Sequence, residues 1–321
     1  MNRPAFLRNI LLLTLVAAFA MTGCTDYKVL DVIEEPKYCT TKIHFDWGGV
    51  DSIPKQMRVG LYPVQDNGSN GSYSWLDVGN RDTTLLAPEG TWRMTAWNND
   101  PTHVVYDQYG RCDSLNVTST DPFTNFNSRF LEQILDSIFP NHVIKDYPDY
   151  MVHDNKDVVN IAQNKENVIT VKPDSMVTTV NITARGIKGL DMVKMTKGAL
   201  SNVAGKRYIA HPNKTTQRVT VLFDADPHPN DDTVTATFWV FALEPEQEKN
   251  IQHHAALFFW TTQGQAFVKL DVTDLVHNAM KQGTDINLEL NLDVDIKELF
   301  NYDGFDVDID EWNKVDIPVG V

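Results

Sequence analysis

Hydrophobic and polar positions alternate along most of this chain. In KIHFDW, Ile43, Phe45 and Trp47 fall on one side and Lys42, His44 and Asp46 on the other, until Gly48 and Gly49 break the run. QMRVGLYPV repeats the pattern with Met57, Val59 and Leu61, and PEGTWRMTAWNND repeats it with Trp92, Met94 and Ala96. A period of two is that of a strand with one buried face. Turn signals rich in Gly and Asn, as in DNGSNGSYSW, separate the runs. Later, TVTATFWVFAL alternates at Val234, Ala236, Phe238, Val240 and Ala242, and HHAALFFWTTQGQAFVKLDV reads as a hairpin turning at Gly264. DINLELNLDVDI alternates throughout, with Ile286, Leu288, Leu290, Leu292, Val294 and Ile296 inward, and VDIPVGV closes the chain with Val315, Ile317 and Val319.

Two stretches break this rhythm. In TNFNSRFLEQILDSIFPNH, Phe126, Phe130, Ile134 and Ile138 recur every four residues beside Leu131 and Leu135, which is a helical stripe. Asn127 or Ser128 can cap it and Pro140 ends it. VTDLVHNAMKQG reads as a shorter helix closed by Gly283. Many strands and few helices predict an all-β chain of antiparallel sandwiches, with the first helix inserted in the first half and packed on a sheet. The restart around Pro173 and Asp174 divides the chain into residues 38–172 and 173–321.

The amino terminus has a different logic. Arg3 and Arg8 precede an apolar run of about a dozen residues from Ile10 to Met21, too short for the roughly twenty needed to span a bilayer. A basic start, a short apolar middle and small residues before a break predict a secretory signal over residues 1–23. Met21-Thr22-Gly23-Cys24 resembles a bacterial lipobox, so Cys24 is the expected lipidation site and membrane attachment point. Residues 24–37 then form a tether. Its Asp26, Asp31, Glu34 and Glu35 are either an export signal or solubilising charge. The implied location is the outer membrane, lipid-anchored, at the cell surface.

Composition narrows the partners. A net charge of −15 repels phosphate backbones and offers no polybasic membrane patch, so nucleic acid is not an expected partner. Beyond Cys24 only Cys39 and Cys112 remain, which form one disulfide or sit unpaired in sandwich cores.

Few residues carry chemistry. The acidic run DGFDVDIDEW (Asp303, Asp306, Asp308, Asp310, Glu311) has the wrong residue where a calcium loop needs Gly. His253 and His254 point to opposite faces of a strand, and His228 lies in a Pro- and Asp-rich turn. With no hydrolase, phosphate-loop or dinucleotide motif, the chain is read as a non-enzyme without cofactor or metal. Among Trp75, Trp92, Trp97, Trp239 and Trp260, Trp97 and Trp239 lie opposite the apolar stripes. They either contact a surface glycan or partner, or pack against a neighbouring element.

Several stretches together resemble a family of Bacteroidales lipoproteins related to the fimbrillin-like subunits and anchors of type V pili. These are YCTTKIHFDW, APEGTWRMTAWNND, GALSNVAG, KLDVTDLVHNA and DEWNKVDIPVGV, spanning about Tyr38 to Val321. The resemblance implies two tandem transthyretin-like β-sandwich domains, lipoprotein export, and fimbrial subunits as partners joined by strand complementation. Pilins of that group mature by cleavage after an arginine. Here Arg58 and Arg93 lie in strand-like runs and Arg81 and Arg111 in turn-like ones, none distinctively flanked, so an anchor, accessory or adhesin role is expected. Val315, Ile317 and Val319 form the candidate donor strand. The O-glycosylation triplet of the same bacteria occurs at Ser52, Thr83, Ser114, Ser137, Ser175 and Thr233.

Overall fold

Alternation becomes structure first in Tyr38–Phe45, whose residues are exposed and buried in strict turn. The computed structural model describes residues 37–64, 73–122, 129–211, 213–248, 251–281 and 285–299. Its strands in the first half are β1 (Tyr38–Phe45), β2 (Gln56–Pro63), β3 (Ser74–Gly79), β4 (Thr83–Pro88), β5 (Gly90–Asn98), β6 (Val104–Asp107), β7 (Asn116–Ser119), β8 (Ile144–Asp146), β9 (Val152–Ile161) and β10 (Asn167–Val171). Helix α1 (Arg129–Ile138) lies between β7 and β8. The chain continues through β11 (Asp174–Ser175), β12 (Thr178–Lys188), β13 (Val193–Tyr208), β14 (Thr215–His228), β15 (Thr233–Val240), β16 (His254–Thr261) and β17 (Gln265–Asp271). Helix α2 (Thr273–Met280), β18 (Ile286–Asp295) and the single turn α3 (Ile296–Leu299) complete it.

The first sandwich sets a three-stranded sheet, β10-β1-β4, against a five-stranded one, β11-β9-β5-β2-β3. Their inner faces meet in one apolar cluster. Ile43, Phe45, Ala87, Ile169 and Val171 come from the smaller sheet, and Met57, Val59, Leu61, Met94, Ala96 and Val152 from the larger. These are the inward positions of the period-two runs, so burial of one face selects the register.

The second core lies within a ten-stranded sheet whose main path is β17-β16-β13-β14-β15-β12-β18. The long strand β14 pairs with β13 through Ala225 and with β15 from Asp226, so it passes from one layer to the next. The layers close on each other through Phe223 and Phe238, stacked with centroids 4.1 Å apart. Gly198 makes room for this pair: a Cβ there would stand 2.0 Å from the Phe223 ring.

The sheets are mostly antiparallel, as the pattern predicts, with three exceptions. β1 runs parallel to β10, β8 to β14 and β12 to β18. A parallel pair needs a long crossover, which need not be a helix. Here the chain between partners is itself folded into strands. Residues 104–146 also depart from expectation: β7 pairs with β13 and β8 with β14, so this part of the first half completes the later sheet. Helix α1 packs on that sheet, with Leu135 and Ile138 against Ala199, Leu222, Ala256 and Phe258. Phe126, Asn127 and Ser128 lie outside the described residues, as does Gly283. No described helix is long and apolar enough to cross a membrane.

Candidate functional site

An edge strand offers unpaired backbone groups, and what its side chains carry decides whether another strand can join. Among the described residues β17 and β18 end the main path of the ten-stranded sheet, and β6 and β8 end its side branches, β6 with the exposed Val105. The outward row of β18 is polar and charged: Asn287, Glu289, Asn291 and Asp293 are exposed, with Glu289 paired to Arg185 and Asp293 to Lys188. Such a row discourages addition. The three-stranded sheet differs. Each of its edges, β4 and β10, has β1 as its neighbour in the sheet. Both carry exposed apolar side chains, Leu86 (62% exposed) on β4 and Val168 (49%) on β10. Val168 stands opposite Lys42 in the parallel ladder, so an aliphatic and a basic side chain lie side by side on the outward face.

A second surface is aromatic. From the fully buried Trp97, rings lead outward through Tyr106 (6.2 Å), Tyr109 (6.3 Å from Tyr106), Trp75 (4.8 Å from Tyr109) and Tyr73 (5.0 Å from Trp75). The Arg58 guanidinium lies 4.9 Å from the Trp75 ring centroid and is held there by two hydrogen bonds to Asp77. That pairing raises the Arg58 pKa and lowers that of Asp77, the hydrogen bond between them being the largest cause in both. Tyr73 is exposed, while Trp75 and Tyr109 are half-buried, which gives a ring platform with a fixed charge beside it.

Several sequence expectations change. Trp97 is 0% exposed, not a surface contact. The face of β5 opposite the sandwich core is covered around Trp97 by Tyr62, Cys112, Leu115, Val117, Ile209 and Phe241, so both faces of that strand are buried from Met94 to Asn98. Trp239 is half-buried and meets Tyr150 edge-on at 5.8 Å. Period-two patterning identifies opposite faces but does not say that the second one is wet. Cys39 and Cys112 are both free and buried. No disulfide joins them because they belong to separate clusters: Cys39 to the first sandwich core, Cys112 to the cluster behind Trp97, where it contacts the Thr95 hydroxyl.

Of the glycosylation triplets, Ser52 and Ser137 are exposed and Thr83, Ser114 and Ser175 half-buried. Thr233 is buried and donates its hydroxyl hydrogen to the Asp231 carbonyl, so it is not an acceptor on the folded chain. His228 is exposed at the end of β14, its Nε2 2.9 Å from the Thr235 hydroxyl. Cys24, the acidic run Asp303–Glu311 and the donor candidates Val315, Ile317 and Val319 lie outside the described residues. The platform of Tyr73, Trp75 and Tyr109 was not legible as a unit. With Arg58 it draws on three stretches, which only the pairing of β3 with β2 and the approach of the Tyr109 turn unite.

Residues 23–224 match the family model described as domain of unknown function DUF5119. No curated protein matches the chain. Among solved structures, a candidate adhesin from Bacteroides ovatus is similar with a TM-score of 0.60 at 16% identity, over 85% of this chain and 97% of that one. A second candidate adhesin from Bacteroides ovatus aligns with a TM-score of 0.49 at 9% identity, over 82% and 90%. The fimbrial anchor protein Mfa2 from Porphyromonas gingivalis aligns with a TM-score of 0.47 at 11% identity, over 79% and 91%. Only the first of these three is near enough in shape to argue from, and at that identity it shows a shared fold.

Proposed function

The chain belongs to the DUF5119 family, and from that premise we propose that it is a cell-surface adhesion protein of fimbrial type, an anchor or accessory subunit held to the outer membrane through a lipid on Cys24. The observation that carries this reading is the fold shared with the Bacteroides ovatus candidate adhesin over nearly the whole of both chains. The lipobox-like segment supports attachment. The edges β4 and β10 support the mechanism: a partner's extended strand adds to the three-stranded sheet on a side that, among the described residues, pairs with no other strand, and its apolar side chains meet Leu86 or Val168. A division near residues 172 and 173 belongs to the same proposal, with the anchor end in the first half, residues 104–146 reaching across it into the later sheet and Asp174–Ser175 reaching back to the first.

Val168→Cys tests it in native cells. The cysteines of the described residues, Cys39 and Cys112, are buried, so a reagent with one thiol-reactive and one photoreactive end attaches at this edge and couples to a neighbouring chain whether or not that chain carries a thiol. Adducts with other envelope chains at Val168→Cys, and none at the control Ser52→Cys, are expected. Equal labelling at both positions, or no adduct, would overturn strand addition at this edge.

The aromatic ladder favours a second reading, a surface glycan stacked on Tyr73, Trp75 and Tyr109 beside Arg58. A glycan array read with wild type and Trp75→Ala separates the two.

A further inference from the structure

Three side chains from separate stretches converge at one end of the second core. Glu244 lies in the segment after β15, His253 just before β16, and His277 in α2. His253 is 0% exposed. Its Nδ1 is 3.0 Å from the Ser201 carbonyl oxygen. A carbonyl only accepts, so Nδ1 carries the hydrogen and Nε2 presents a lone pair. That buried Nε2 has no hydrogen-bond partner. It lies 4.0 Å from Glu244 Oε1. The same carboxylate oxygen accepts from His277 Nε2 at 3.1 Å and from the Ile251 N–H at 3.3 Å. The two imidazoles stand edge to face, 5.7 Å apart, and the potential donor atoms of the three residues all lie within 4.8 Å of one another.

We propose that Glu244, His253 and His277 form a binding site for one divalent cation of the zinc class. The donor set is two imidazoles and a carboxylate, which suits zinc and disfavours magnesium and calcium, whose shells are built of oxygen. Three protein donors leave a fourth position for water, and the partial exposure of His277 gives that position an outlet. The Ser201 carbonyl supplies the outer support that metal-bound histidines have, fixing both tautomer and ring angle. Burial lowers the His253 pKa and so keeps its lone pair free. A lone pair buried without a donor costs a fold stability, and a cation is the partner that relieves it here. Binding requires His277 to carry its hydrogen on Nδ1 instead of Nε2, exchanging its hydrogen bond to Glu244 for a shared metal. The ion would then clasp the segment after β15 and the start of β16 to α2.

The sequence hides this site. His253 and His254 look like a pair yet point apart; the partners of His253 are Glu244 and His277, which pattern alone does not join to it.

The test uses the full chain, stripped with a chelator and titrated with zinc chloride by calorimetry, with cobalt(II) as a spectroscopic probe. One zinc per chain is expected, with visible absorption of four-coordinate cobalt and a zinc-dependent rise in melting temperature. Glu244→Gln keeps the shape and an acceptor for His277, and His277→Ala removes a partly exposed ring, so both should fold. Each should weaken zinc affinity at least about tenfold and abolish the cobalt spectrum. Wild type without stoichiometric zinc binding, or either folded variant binding as wild type does, overturns the proposal.

Discussion

Trp97 shows what one residue's surroundings decide. It sits between two layers of side chains, so Trp97→Ala should cost about 3–5 kcal/mol of stability in urea unfolding. Trp75→Ala, at a half-exposed position, should cost much less. Equal losses would refute the burial difference. Gly186 is the second decisive position. Its φ is +77°, and a Cβ would lie 1.8 Å from the Leu292 carbonyl oxygen on the neighbouring strand. Gly186→Ala should therefore lower stability by at least about 2 kcal/mol; an unchanged urea midpoint would contradict this geometry. His153 gives the chain a pH response. Burial, then the nearby Arg207, lowers its pKa to about 4, with Asp174 and Asp154 opposing. The Asn155 amide donates to its Nδ1, which also favours the neutral ring. The unfolded chain takes up a proton near pH 6.5 that the folded chain refuses until about pH 4. Stability is thus complete above that upper value and falls as pH drops through the window, by at most about 1.4 kcal/mol per pH unit. His153→Gln should flatten this part of the profile. The carboxylates Asp77 and Asp113, lowered by hydrogen bonds to Arg58 and Arg93, act in a more acid window, below their ordinary value of 3.8.

At the scale of the element, legibility depended on where partners lie in sequence. The strand runs of β1 and β18 show in the sequence because alternation records burial locally, whereas β2 and β5 show only the core-facing half of theirs, their other faces being covered too. The β16–β17 hairpin shows because its turn is local. The parallel pairing of β1 with β10 does not, since the two strands are separated by the whole first sandwich. Helix α1 is legible as a helix, but its docking surface is not. It lies on small residues, Ala199 and Ala256, of strands far along the chain, and the Lys269 ammonium donates to the carbonyl of Ile138 at its end. Ile138→Ala should cost about 2–5 kcal/mol in urea unfolding, because Ile138 is buried at that contact. A negligible loss would mean that the helix does not rest on the sheet.

For the whole molecule, the cores of the two halves are joined by more than a linker. Tyr62, Trp97 and Met151 share a cluster with Ala204, Ile209 and Phe241, and Arg207 donates to the carbonyls of Met176 and Phe241. Such continuity couples the two halves, and it is what the proposed anchor role would require of them. The exposed apolar positions on β4 and β10, set against the charged row of β18, are the reason the proposal places the partner at the three-stranded sheet. The proposed mode of assembly is strand addition by an envelope partner. It is tested most directly by running membranes from native cells on a denaturing gel, with and without boiling, and blotting for this chain. An inserted strand resists detergent, so a ladder of larger species that collapses to the monomer on boiling is the expected result; a single monomer band in the unboiled lane would contradict it.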